Sequence, residues 1–116
     1  RAALITAYQD DTEMLTQRLL RENLGTQNWH QLGLLVKRLH AQGIRHADLN
    51  SDNILVDSRN RFFVIDFDRA RIMNRIDDWQ WQPLFRLQRS IEKRNRNLNL
   101  HYSDDDWQAL MDGYQS

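Results

Sequence analysis

The sequence predicts an α+β fold that is mostly helical and contains a small β-hairpin. Two observations support this fold class: long stretches in which apolar residues recur every three or four positions, and two short apolar runs that flank a turn-forming segment. The strongest helical stretch runs from about Gln27 to Gln42 and is followed by Gly43, a residue type that often ends helices. Its apolar positions are Trp29, Leu32, Leu35, Val36 and Leu39.

The two apolar runs predict the hairpin. Ile54–Val56 and Phe62–Ile65 are rich in residues that favour strands, and Asp57–Asn60 between them has the composition of a turn. The next segment, residues 68–78, is polar and shows no clear period.

The remaining elements are predicted from shorter signals. Ala3–Tyr8 has strand composition, and Thr12 is placed to cap a helix that runs to about Asn23. Pro83 fits the first turn of another helix, and the asparagine-rich stretch 95–101 predicts a loop. Ser103, followed three residues later by an acidic side chain, predicts the start of a last helix.

Composition excludes several classes of protein. The 116 residues include 16 Lys and Arg against 16 Asp and Glu, so no overall field favours nucleic acid. There is no cysteine, which excludes disulfides, thiolate metal sites and cysteine nucleophiles. No apolar run approaches the roughly 20 residues that span a bilayer. Because the chain opens on Arg1 without a methionine, we expect these 116 residues to be a piece of a longer protein.

The most specific signal is a polar loop. His46-Ala47-Asp48-Leu49 is followed by Asn53, and Asp66 stands 13 residues beyond Asn53, at the end of the second hairpin strand. This spacing is typical of the base and metal ligands of a phosphoryl-transfer site. The predicted hairpin folds Asp66 back beside the loop, so the two parts form one site.

Each residue of the pattern is suited to one task. The Asp48 carboxylate can orient a hydroxyl group and accept its proton, and the Asn53 and Asp66 oxygens suit Mg²⁺. Structural alternatives remain for each: Asp48 as a turn former, Asn53 as a brace for the loop backbone, and Asp66 as a cap of the next turn. His46 is expected to hold the loop backbone rather than take part in the chemistry. His40 is expected to be a satisfied core histidine.

The motifs around Asp48 and Asp66 resemble the C-terminal lobe of the protein-kinase-like fold, and the resemblance covers nearly the whole chain, residues 1–116, as one such lobe. His46-Ala47-Asp48-Leu49-Asn50, Asn53-Ile54-Leu55 and Ile65-Asp66-Phe67-Asp68-Arg69 resemble, more narrowly, the 3-deoxy-D-manno-octulosonic acid (Kdo) kinase family. The resemblance implies a sugar kinase that uses ATP and Mg²⁺ to phosphorylate Kdo on a lipid A precursor, in lipopolysaccharide core assembly. It also implies a bacterial cytoplasmic enzyme, peripheral on the inner membrane.

The same resemblance implies a nucleotide site and shows departures from regulated protein kinases. Ala7, Tyr8 and Gln9 would form the hinge that meets adenine, with Leu55 and Ile65 as the floor beneath it. Ala47 stands where regulated protein kinases carry an arginine, which favours a small-molecule kinase that is always active. The glycine-rich loop and lysine of the N-terminal lobe are not in the sequence, so we expect these 116 residues alone to be inactive.

A basic stripe accompanies the Pro83 helix. Its members are Arg86, Arg89, Lys93, Arg94 and Arg96, and the first four are the candidates for membrane contact. The stripe is either a solvated helix face or a surface for an anionic glycolipid or membrane leaflet.

Two alternatives for the function of the protein stay open: another small-molecule kinase of this fold, of the heptose or aminoglycoside type, or a kinase-like scaffold that transfers nothing.

Overall fold

The computed structural model describes residues 11–66, 70–72, 79 and 81–116, and these form an α+β fold that is mostly helical, as predicted. The predicted strand Ala3–Tyr8 and the proposed hinge Ala7–Gln9 lie outside the described residues. The strands are β1 (Glu13–Met14), β2 (Ile44–His46), β3 (Ile54–Val56), β4 (Phe62–Val64) and β5 (Ala70–Ile72). The helices are α1 (Leu15–Arg21), α2 (Thr26–Ala41), α3 (Trp81–Leu98) and α4 (Asp104–Tyr114).

The predicted hairpin is present. β3 and β4 pair antiparallel with Leu55 opposite Phe63, and β1 adds a third strand on the other side of β3. The turn is held by Asp57, whose Oδ1 accepts the main-chain N–H groups of Arg59 at 2.9 Å and Arg61 at 2.8 Å. Burial raises the pKa of the Asp57 carboxyl, but these N–H groups and the Arg61 guanidinium outweigh it, so the pKa is lowered.

The first helix begins later than predicted, and Thr12 does not cap it. Glu13 and Met14 are extended because they pair with Val56 and Leu55, so α1 starts at Leu15. The Gln17 side chain accepts the main-chain N–H of Met14 at 2.9 Å, the position of a capping interaction. Pairing with a distant strand therefore overrides the local helix signal.

The second and fourth helices match their predictions and pack closely on each other. Gly43 follows α2 with a φ of 77°. Ser103 is the N-cap residue of α4, and its main-chain N–H donates to Asp106 Oδ2 at 3.0 Å. The contact depends on Gly33 and Gly113, because a Cβ on Gly33 would lie 1.9 Å from the Leu110 carbonyl oxygen. The core is formed between these two helices, α1, α3 and the hairpin.

Two elements differ from the sequence predictions. β5 pairs antiparallel with β2, with His46 opposite Ala70, although segment 68–78 showed no period. The predicted loop 95–101 is helical through Leu98, and Asn99 ends α3 with a φ of 59°. Asn99 takes the left-handed conformation that a glycine often supplies, and the Asn95 side chain accepts the N–H of Leu100 at 2.9 Å.

Candidate active site

The loop between β2 and β3 holds Asp48 by its main chain on both sides. The N–H of Asp48 donates to His46 Nδ1 at 3.1 Å, and its carbonyl oxygen accepts from Asn53 Nδ2 at 2.7 Å and Asn50 Nδ2 at 3.1 Å. The Asp48 carboxylate is half-buried and makes no hydrogen bond or ion pair within the described part of the chain. The loop therefore positions Asp48 through its main chain and leaves the carboxylate available to bind another group.

The turn of this loop is formed by Asn50, a role that the sequence analysis did not assign to it. Its Oδ1 accepts the main-chain N–H of Asp52 at 2.8 Å and of Asn53 at 3.2 Å. Asparagine is well suited to this local bonding, so its presence in a polar loop was the signal that could have revealed the role. The side chain that forms the turn is therefore that of Asn50, and Asp48 contributes its main-chain carbonyl.

His46 links the loop to the hairpin. Its ring is buried, Nδ1 accepts the Asp48 N–H, and Nε2 lies 2.8 Å from the carbonyl oxygen of Ile65. Because a carbonyl oxygen can only accept, Nε2 carries the proton and donates it, while Nδ1 is the acceptor. This geometry agrees with the expected structural role of His46, and it holds the peptide that immediately precedes Asp66.

The β3–β4 pairing extends by one step and places Asn53 beside the residue that precedes Asp66. The N–H of that residue, Ile65, donates to the Asn53 carbonyl oxygen at 2.9 Å. Asp66 is exposed and has a φ of 67°. A left-handed conformation is uncommon for residues other than glycine and is concentrated at functional sites.

The donor set fits a hard divalent cation. The Asn53 amide nitrogen donates to the Asp48 carbonyl, and its oxygen Oδ1 accepts no hydrogen bond from any residue that the structure describes. Among those same residues there is no group of three or more His, Asp or Glu side chains that could hold a metal. Magnesium bound with a nucleotide often takes only one or two protein ligands, so the oxygen atoms of Asn53 and Asp66 are of a kind and number compatible with such a site.

Leu55 and Ile65 lie on one face of the three-stranded sheet. Leu55 is opposite Met14 on one neighbouring strand and Phe63 on the other, and Ile65 follows Phe63 by two positions, so strand alternation places all four on the same side. All four side chains are half-buried, whereas Ile54, Val56 and Val64 on the other side are fully buried. An apolar, partly open surface of this kind can contact a flat ring.

Other side chains brace the loop from outside. Thr16 Oγ1 lies 2.7 Å from Ser51 Oγ and 2.8 Å from Asp52 Oδ1, within hydrogen-bond distance of both. The N–H of Ser51 donates to Ser90 Oγ at 3.2 Å. Asp52 is ion-paired with Arg94. Sequence reasoning missed these contacts, because they join residues more than 30 positions apart with no local pattern.

Comparison with known proteins shows which family the chain belongs to. The lipopolysaccharide kinase (Kdo/WaaP) family model matches residues 1–114. The chain belongs to this family. It is 38% identical over its whole length to a 3-deoxy-D-manno-octulosonic acid kinase of Pasteurella multocida, and 36% identical over 99% of its length to one of Photobacterium profundum. The chain spans about half the length of these relatives, 49% and 48%.

Proposed function

We propose that this chain is the part of a Kdo kinase that carries the base and the metal ligands. The observation that supports this most directly is the Asp48 carboxylate, which is fixed through its main chain and has no protein partner among the described residues. The family consists of lipopolysaccharide kinases, and the relatives named above are Kdo kinases. The acceptor is proposed to be a hydroxyl of Kdo on a lipid A precursor.

In this proposal Asp48 holds the acceptor hydroxyl in line and takes its proton as phosphoryl transfer completes. Bound ATP with Mg²⁺ would supply the phosphoryl group and the positive charge that stabilises it. Asn53 and Asp66 would hold the metal, and Leu55 and Ile65, with the hinge at Ala7, Tyr8 and Gln9, would contact the adenine. The chain is proposed to be the C-terminal lobe of a protein-kinase-like fold, inactive without a lobe that covers the phosphates.

The proposal is tested by incubating the full-length enzyme with ATP, Mg²⁺ and Kdo-bearing lipid A precursor. A gain of one phosphate on the Kdo residue, detected by mass spectrometry, is the expected result. Phosphorylation of a heptose or an aminoglycoside instead would favour the other small-molecule kinases. Tight ATP binding without transfer to any of these acceptors would favour a scaffold.

Location is also a proposal: the bacterial cytoplasm, at the inner-membrane face. None of the helices that the structure describes is long and apolar enough to cross a membrane. A cleft lies between the Asp48 loop and α3, and Arg86, Lys93 and Arg94 line it. Arg89 does not line this cleft and is exposed, so of the four candidates it is the residue we propose for membrane contact. Arg89→Gln should reduce sedimentation of the enzyme with phosphatidylglycerol vesicles and leave transfer to a water-soluble acceptor unchanged.

A further inference from the structure

A cleft of about 370 Å³ lies between the Asp48 loop and helix α3. One wall is the loop, with Asp48, Asn50, Ser51 and Asp52, and the other is a single face of α3. The α3 residues are Arg86, Ser90, Lys93, Arg94 and Asn97, whose spacing of three and four positions places them on one side of the helix. The Ser51–Ser90 hydrogen bond fixes the two walls together.

The charges in this cleft are only partly balanced. Arg94 is ion-paired with Asp52, which also accepts a hydrogen bond from Thr16. Neither Arg86 nor Lys93 has a carboxylate partner within the described part of the chain, and both side chains are exposed. Two uncompensated cations therefore line the same cleft as the Asp48 carboxylate.

A cleft with this arrangement is suited to an acceptor that carries a negative charge. An anionic sugar would be repelled by Asp48 as it approached, and two cations on the opposite wall offset that repulsion. Arginine can bind a carboxylate through two parallel N–H groups, which fixes orientation, and lysine adds a point charge. A neutral sugar could accept hydrogen bonds from either residue but would gain no charge–charge attraction.

We propose that Arg86 and Lys93 form the subsite that binds the carboxylate of the acceptor sugar acid and so turns its hydroxyl toward Asp48. This inference rests on the proposed function, since the relatives are named for an acid acceptor. It assigns part of the basic stripe to acceptor selection rather than to membrane contact. The other source of negative charge near Asp48 is the γ-phosphate of the nucleotide, and the experiment separates the two.

The experiment compares two water-soluble acceptors in the full-length enzyme: the methyl glycoside of Kdo and its neutral carboxamide. Wild type, Arg86→Gln and Lys93→Gln are assayed for kcat/KM with each acceptor and for the KM of ATP. Arg96→Gln is the matched control, because Arg96 is an exposed cation of the same helix that does not line the cleft. Thermal unfolding checks that each variant is folded.

The wild type should prefer the acid, and each cleft variant should lose about 10-fold or more in kcat/KM for the acid, as for a lost charged hydrogen bond. The loss with the carboxamide and the change in the KM of ATP should stay within about twofold, as should every effect of Arg96→Gln. Equal losses with both acceptors would assign the two cations to the nucleotide phosphate and overturn the proposal. Unchanged kinetics in both cleft variants would overturn it as well.

The failure of the proposed function looks different in this design. Wild-type enzyme that phosphorylates neither of these acceptors nor the Kdo-bearing lipid A precursor refutes the Kdo kinase assignment, whatever the variants do. Calorimetric titration of the same two acceptors into the same proteins then decides the subsite on its own. Binding of the acid that Arg86→Gln and Lys93→Gln do not weaken would overturn it.

Discussion

The amide nitrogen of Asn53 donates a hydrogen bond to the main-chain carbonyl oxygen of Asp48 across 2.7 Å. A residue proposed as metal ligand, Asn53, is thus hydrogen-bonded directly to the residue proposed as base, Asp48. The Asn53 nitrogen braces the loop that presents the Asp48 carboxylate, and the Asn53 side-chain oxygen accepts no hydrogen bond from any described residue. Asparagine supplies both a donor and an acceptor at this position, which neither aspartate nor alanine does.

Asp48→Asn should lower kcat of the full-length enzyme by about 10²-fold or more, with the KM of ATP nearly unchanged. The loop contacts of Asp48 are made by its main chain, so the substitution removes the proton acceptor and leaves the loop intact. Steady-state kinetics measures both parameters. Turnover within twofold of wild type would show that another group accepts the proton.

Substitutions at the two metal positions should have different effects. Asp66→Ala is expected to abolish Mg²⁺-dependent ATP binding because it removes a full negative charge, whereas Asn53→Ala should weaken it. Asn53→Asp keeps an oxygen for the metal but cannot donate to the Asp48 carbonyl, so it should retain nucleotide binding and lose turnover. Calorimetry with ATP and Mg²⁺, paired with kinetics, tests all three. Normal binding by the Asp66→Ala variant would contradict the metal assignment.

Gly33→Ala should destabilise the fold by about 1–3 kcal/mol in the free energy of unfolding, as overpacking does. The added Cβ would lie 1.9 Å from the Leu110 carbonyl oxygen and 2.8 Å from the Tyr114 nitrogen, so α2 and α4 must move apart. Chemical denaturation measures the change, and Gln31→Ala, at an exposed position of α2, is the control. Helix propensity alone predicts that alanine stabilises by about 1 kcal/mol, so a more stable variant would disprove the close contact.

Stability should fall between about pH 6.5 and pH 4 because of His40. Burial lowers the pKa of its imidazole to about 4, and Nδ1 lies 2.6 Å from the hydroxyl of Tyr114, as the sequence analysis expected of a satisfied core histidine. The unfolded chain binds the proton at a higher pH than the folded chain does. The stability that neutral His40 confers is therefore fully present above the pKa of His40 in the unfolded chain. That contribution is lost as pH falls toward 4, to an extent on the order of 3 kcal/mol.

Denaturation midpoints measured from pH 7 to pH 4 test this expectation, and His40→Phe provides the comparison. The variant should be less sensitive to pH in that window than the wild type. The Asp57 carboxyl, with its lowered pKa, affects stability only at lower pH, near and below its ordinary value. Equal pH dependence of the two proteins would remove His40 as the cause.

The sequence by itself determined those features that local pattern encodes. Helical spacing and end signals predicted α2 and α4, and strand composition around Asp57–Asn60 predicted the hairpin. The spacing of Asp48, Asn53 and Asp66 predicted a phosphoryl-transfer site, and that assignment stays a prediction. Each of these depends on residues close in the chain, or on a hairpin whose turn is short. The recognition of the kinase family rested on the same segment and is shown by the family match.

Only the tertiary structure decided what depends on distant partners. Glu13 and Met14 are extended because they pair with β3, and β5 is extended because it pairs with β2. The sequence showed a basic stripe on α3, but only folding turned Arg86 and Lys93 toward the Asp48 loop and left Arg96 outside that cleft. Which face of a helix meets which loop depends on packing across the whole core, and no local period records it.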